Sequence, residues 1–217
     1  ATERVTSSGG PPTTVAEVGA ALVHDTTVFG VTGPLLGSRY RFEVAPAIGE
    51  LSYTRVVADY RRYVMPVRPY SVAVRVMHSA RYGPDGDDPR LMSSFLGSNY
   101  LVRGHQLDLR HCPPDPTRVC GDELLGSRVL VGNVEVRFPL WGVVSRQLEY
   151  GWLPADAFVF ADGGLVSGRG KPVNGISSIG AGIRLNAGGL PLEFAAIRAL
   201  DGPRPGWQTD LGFRVGF

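Results

Sequence analysis

Between residues 70 and 81 the chain alternates with a period of two. Tyr70, Val72, Val74, Val76 and Ala80 fall on one face, interrupted only by His78. Ser71, Ala73, Arg75, Met77, Ser79 and Arg81 fall on the other. Successive side chains of a strand point to opposite faces, so this pattern predicts a β-strand with one apolar and one polar side. The pattern returns at 128–140, where Leu130, Val134, Val136, Phe138 and Leu140 alternate with Val129, Val131, Asn133, Glu135 and Arg137. At 53–64, Thr54, Val56, Ala58, Tyr60 and Val64 oppose Arg55, Asp59 and Arg61. At 177–186, Ile179, Ala181, Ile183 and Leu185 oppose Ser178, Gly180, Gly182, Arg184 and Asn186. Shorter versions occupy 39–46 and 190–200, and weaker ones 15–25 and 157–164. The last ten residues, QTDLGFRVGF, set Leu211, Phe213, Val215 and Phe217 against Asp210, Gly212 and Arg214.

About nine strands follow, with tight Gly- or Pro-containing turns at 47–49 and 187–189, and no sustained helical period. An antiparallel meander is the natural topology. The expected fold is all-β: an antiparallel transmembrane β-barrel with about 8–10 strands visible. A long loop, roughly 83–126, falls between the fourth and fifth visible strands. Residues 1–14 are rich in Ser, Gly, Pro and Thr and predict a flexible lead. Residues 15–217 then form one barrel domain.

Alternation alone also fits a soluble sandwich, so the composition of the two faces matters. The polar face is rich in Arg set among acids and glycines, and the whole chain has one lysine, Lys171. Soluble sheets commonly wet their outer faces and edges with lysine. An apolar band facing out over a polar lumen is the transmembrane-barrel pattern. Aromatics near strand ends, among them Tyr53, Tyr63, Tyr70, Phe138, Trp141, Trp152 and Trp207, suit an interfacial girdle.

A net charge of +2 gives no reason to expect a nucleic-acid partner. No run of about 18 apolar residues exists, so a helical span is not expected. Cys112 and Cys120 sit eight apart in the long loop and either close a small disulfide, as in an oxidising compartment, or stay unlinked. The first residues lack the layout of an export signal, which is expected to have been removed or to lie upstream. No nucleophile and base stand out, His24, His78, His105 and His111 have no metal spacing, and 167–172 lacks the leading Gly and closing Ser or Thr of a phosphate loop. Neither an enzyme, a cofactor nor a metal is expected.

Three internal motifs and the chain end carry a family resemblance. Val102-Arg103-Gly104-His105 resembles a VRG-aromatic loop motif, with His105 at the aromatic position. Asn133-Val134-Glu135-Val136-Arg137-Phe138-Pro139-Leu140 resembles an N-x-E-x-R-x-P-L strand, and Phe160-Ala161-Asp162-Gly163-Gly164 an F-x-D-x-G strand. Asp210, Gly212, Val215 and Phe217 fall where a C-terminal barrel signal places its polar, glycine and apolar residues. Together these resemble the C-terminal part of the bacterial surface antigen family, the outer-membrane assembly and secretion barrels of the BamA and TamA type. The resemblance implies that Arg103 meets Asp162, with Glu135 close by, and so anchors the loop inside the barrel. It implies a bacterial outer-membrane location and a role in inserting or translocating proteins. The expected partners are outer-membrane lipid, client outer-membrane proteins or other chains of an envelope assembly. The alternative is a structural or pore-forming barrel that anchors a larger assembly.

Overall fold

A computed structural model describes residues 2–5, 13–105, 121–148, 150, 154–202 and 205–213. Its strands, in chain order, are β1 Thr2–Val5, β2 Thr13–Glu17, β3 Ala20–Asp25, β4 Val28–Phe29, β5 Pro34–Gly49, β6 Tyr53–Val67 and β7 Tyr70–Tyr82. After the long loop, which carries the short β8 Ser94–Phe95 and β9 Leu125–Gly126, come β10 Arg128–Pro139, β11 Ala155–Ser167, β12 Asn174–Ala187, β13 Leu190–Ala199 and β14 Gly206–Phe213. The protein is all-β and antiparallel. One sheet runs β1-β2-β5-β6-β7-β10-β11-β12-β13-β14, with β3 and β4 also on β5, while β8 and β9 pair apart from it.

β2 and β3 lie beside β5 in one register, and between them the Val18 N–H donates to the Pro46 carbonyl at 3.1 Å. Pro46 has no N–H to return that bond, so the ladder is interrupted there without a change of register. The segment 1–14, expected as a flexible lead, supplies β1 and the start of β2 instead, and Thr2–Val5 pairs with the opening of β2. Thr13 and Val15 alternate with exposed neighbours, and Val15 packs with Leu51, Tyr53 and Leu91. That local alternation outweighs the linker-like composition around it.

Apart from the β8–β9 pair, the described strands belong to one continuous sheet. Among the described residues β14 has no strand partner beyond β13, and β1 none beyond β2. The expected closure into a barrel is therefore not made by these strands.

The faces sort by polarity in the unusual sense. Val134, Ile183 and Phe213 are 44%, 40% and 69% exposed, whereas Arg75, Arg137 and Arg184 are 7%, 2% and 0% exposed. The apolar side looks out, and the charged side is covered. The described parts of the long loop cover one part of the charged side, and the segment 31–34 another, where Arg137 Nη1 donates to the Pro34 carbonyl at 2.9 Å and the Thr32 hydroxyl donates to Asp156. Leu96 and Val102 from the loop are wholly buried against Val129, Val131, Val166 and Ile176 of the sheet. A second inner cluster joins Phe158, Phe160, Ala195 and Ile197. The inner face is thus mixed, with an apolar plug at the loop end of β10–β12 and charges deeper in.

Candidate functional site: a buried ion-pair network that seats the long loop

Strand parity puts the charges in place. Asp162 faces inward on β11, opposite Asn133 on β10 and Ser178 on β12. Glu135, two residues along β10 from Asn133, faces the same way and opposes Phe160. Arg103 arrives from the loop. Its Nε and Nη2 donate to Oδ2 and Oδ1 of Asp162 at 2.7 and 2.9 Å, and its Nη1 donates to Oε2 of Glu135 at 2.7 Å. The Arg103 backbone N–H adds a bond to Asp162 Oδ2 at 3.2 Å. The guanidinium carbon lies 3.5 Å from the centroid of the Phe160 ring, the favourable cation–π arrangement. Burial works against the Arg103 charge, but the two carboxylates outweigh it and raise the guanidinium above its ordinary pKa.

The pairing continues beyond Arg103. Glu135 Oε1 accepts from Arg137 Nε at 2.5 Å and from Arg184 Nη2 at 3.2 Å. Arg184 in turn donates to Glu193 Oε2 through Nε at 3.1 Å and Nη2 at 2.6 Å. Three guanidinium groups and three carboxylates so form one hydrogen-bonded chain across β11, the loop, β10, β12 and β13. Buried charges are tolerable only when paired and hydrogen-bonded, and removing one partner of such a pair costs on the order of 3–5 kcal/mol. Glycines shape the same floor. A Cβ on Gly180 or Gly182 would lie 2.6 or 2.5 Å from the Phe160 or Phe158 ring, so β12 must be bare beneath the two rings.

The neighbours of Arg103 fit the sheet as closely. Val102 sits in a dent at Gly164, where a Cβ would come within 2.6 Å of Leu96 Cδ1 and 2.9 Å of Val102 Cγ2. Gly104 has a positive φ of 82°, a conformation open to glycine, and a Cβ there would press 2.7 Å from Ile197 Cγ2. Its N–H donates to Asn99 Oδ1 at 3.2 Å, and its carbonyl accepts from Gln208 Nε2 at 2.8 Å. His105 is buried with Nε2 3.0 Å from the Ser177 carbonyl, which can only accept, so Nε2 carries the proton. The loop therefore touches β10, β11, β12, β13 and β14 through four consecutive residues and their immediate neighbours.

At the loop's other root, Arg81 donates to the Gly86 and Met92 carbonyls at 3.1 and 2.7 Å. Asp87 accepts from the Ser127 hydroxyl and from the Arg169 N–H, the latter at 2.8 Å. Asp85 accepts from the Ser52 N–H at 2.8 Å, and Asp88 pairs with Arg90. Among the described residues no group of three or more His, Cys, Asp or Glu is arranged to hold a metal.

Every residue of the expected loop anchor, Val102, Arg103, Gly104, His105, Glu135, Asp162 and Gly164, lies at this one site. Asp210 and Gly212 lie on the inner side of β14, while Val215, Phe217, Cys112 and Cys120 fall outside the described residues. Arg137, Arg184, Glu193 and the Phe160 shelf were not expected as members of the network. The signal was present: each stands at an inward position between apolar outward neighbours, as Glu193 does between Leu192 and Phe194. No family model matches the chain, and no curated protein matches it either.

Proposed function

We propose that these strands belong to a transmembrane β-barrel of the bacterial outer membrane that inserts or translocates other proteins. The observation that carries the membrane part is the inverted polarity of the sheet: apolar outward, charged and covered inward. Contiguous exposed apolar surface on this scale marks a membrane or protein contact. The lengths agree, because a tilted strand crosses the hydrocarbon layer with about 9–11 residues. β5, β6, β7, β10, β11 and β12 have 16, 15, 13, 12, 13 and 14 residues. No helix among the described residues is long and apolar enough to span.

In lipid, unpaired strand edges cost several kcal/mol per orphaned group. The outer edges of β1 and β14 therefore need partners, whether each other or strands of another segment or chain. The assembly role rests on the resemblance of 102–105, 133–140 and 160–164 to the bacterial surface antigen family, together with the Arg103–Asp162 contact that the resemblance implies. The second reading is a barrel that anchors a larger assembly, favoured by those two open edges. An open pore is favoured less, because Leu96 and Val102 fill the loop end of the inner face.

Flotation with vesicles and a heat-modifiable gel shift test the membrane reading, and a chain soluble without detergent overturns it. Faster folding of a second barrel protein in vesicles carrying this chain supports the assembly role. Sugar-induced swelling without that acceleration supports a pore.

A further inference from the structure

Glycine within a strand weakens it and persists where something must come close. Gly164 meets that condition from the inner side, through Val102 and Leu96. Gly132 and Gly163 do not. They are register partners on β10 and β11 and lie on the outward side of the sheet. A Cβ on Gly132 would meet nothing within 4 Å, and one on Gly163 only the Ile176 carbonyl at 4.0 Å. Neither has a positive φ. Nothing among the described residues explains two bare positions side by side on an apolar face.

Above them runs a groove of about 420 Å³, walled by Leu130 and Leu165 and ending at Ser177 and Asp201. The end is polar. The Asp201 carboxylate accepts from the Ser177 N–H at 2.6 Å and the Ser177 hydroxyl at 2.5 Å. One bond to each oxygen leaves acceptor capacity on both, and Asp201 is exposed. An apolar trough thus opens beside one anion, the Asp201 carboxylate.

Resting on the membrane reading above, we propose that this groove holds one acyl chain of a phosphatidylethanolamine-type lipid, with its ammonium on Asp201. Charge complementarity selects this occupant. An ethanolamine headgroup brings an ammonium with N–H donors to the Asp201 carboxylate, whereas a net-anionic headgroup sets its charge against it. A choline headgroup has no N–H to donate to the two free acceptor sites.

The test reconstitutes the chain in vesicles containing phosphatidylethanolamine, phosphatidylcholine and phosphatidylglycerol in equal parts. The chain is then extracted in mild detergent, and the lipids it retains are identified by mass spectrometry. Wild type should retain phosphatidylethanolamine over the other two. The double substitution Gly132→Leu, Gly163→Leu fills the groove from positions with free space and should abolish that retention while the heat-modifiable shift persists. Asp201→Asn keeps an acceptor for Ser177 but loses the charge, and should reduce the preference for ethanolamine over choline about tenfold, the worth of one charge-assisted contact. Equal retention of all three lipids, or undiminished retention by the filled variant, overturns the proposal. Flotation of the same preparation separates the two readings: a chain that does not enter vesicles refutes both, and one that floats but keeps no phosphatidylethanolamine refutes the groove alone.

Discussion

Arg103 grips Asp162 through two parallel N–H···O bonds of 2.7 and 2.9 Å across 59 residues of chain. A guanidinium and a carboxylate match in this bidentate geometry as an ammonium does not. Arg103→Ala and Asp162→Ala should each destabilise the fold by about 3–5 kcal/mol, since each strands a buried charge. The double variant should lose much less than the total of the two, as read by denaturant unfolding in detergent. Additive losses would show that the contact does not hold the loop. Arg103→Lys keeps the charge but cannot form the fork, and should behave closer to the alanine variant than to wild type.

Gly164 and its neighbour Gly163 face opposite ways and should respond oppositely to a new side chain. Gly164→Val drives atoms into Leu96 and Val102 and should cost about 1–3 kcal/mol by overpacking, with greater protease access to 94–105. Gly163→Ala enters free space and should be neutral or stabilising by up to about 1 kcal/mol. Equal effects at both sites would contradict the seating of Val102 described above.

Val134→Arg distinguishes a face in lipid from a face in water. On the lipid side near the bilayer midplane an arginine costs roughly 2–4 kcal/mol. In water an exposed substitution of this kind changes stability by about 0.5 kcal/mol or less. Urea unfolding in vesicles, followed by tryptophan fluorescence, gives the number, and a loss in the smaller range places the apolar face in water.

Asp87 sets the pH response of the loop root. Burial raises its carboxyl, but the Ser127 hydroxyl, the Arg169 N–H and the charges of Arg128 and Arg81 outweigh it and hold the group below its ordinary value. A carboxylate depressed in the folded state contributes stability that is complete above its unfolded pKa of roughly 3.9 and is lost as pH falls through the lower folded value. Acidification below about pH 4 should therefore speed hydrogen exchange at 83–93 and at 167–171, after correction for the intrinsic rates. Asp87→Asn should show the faster exchange already at neutral pH and a weaker further response to acid. Unchanged protection in that variant at neutral pH would remove Asp87 from the latch.

Strand parity was the part most open to reading. Val72, Val134, Ile183 and Leu211 stand on one side and Arg75, Glu135, Arg184 and Asp210 on the other because a two-residue period leaves a strand no third option. The resemblance likewise picked out Arg103, Glu135 and Asp162 as neighbours. The β1 strand and the β2 start were hidden because Ser, Gly and Pro around them outweigh four or five alternating residues in any compositional window. Val129 and Val131 alternate with the outward residues, so periodicity assigns them to the polar side. Their packing on Leu96 shows an apolar plug that periodicity along one strand cannot indicate.

By itself the sequence determined the all-β class, the strand spacing and which residues share a face, since these follow from local backbone geometry repeated along the chain. Only the tertiary structure decided how far the charge network extends beyond Arg103, Asp162 and Glu135. Arg137, Arg184 and Glu193 become one network with Arg103 through the register of four different strands and the path of a loop. It also decided that among the described residues β1 and β14 do not pair with each other, because edge pairing depends on strands far apart in the chain and leaves no mark in the alternation of either one.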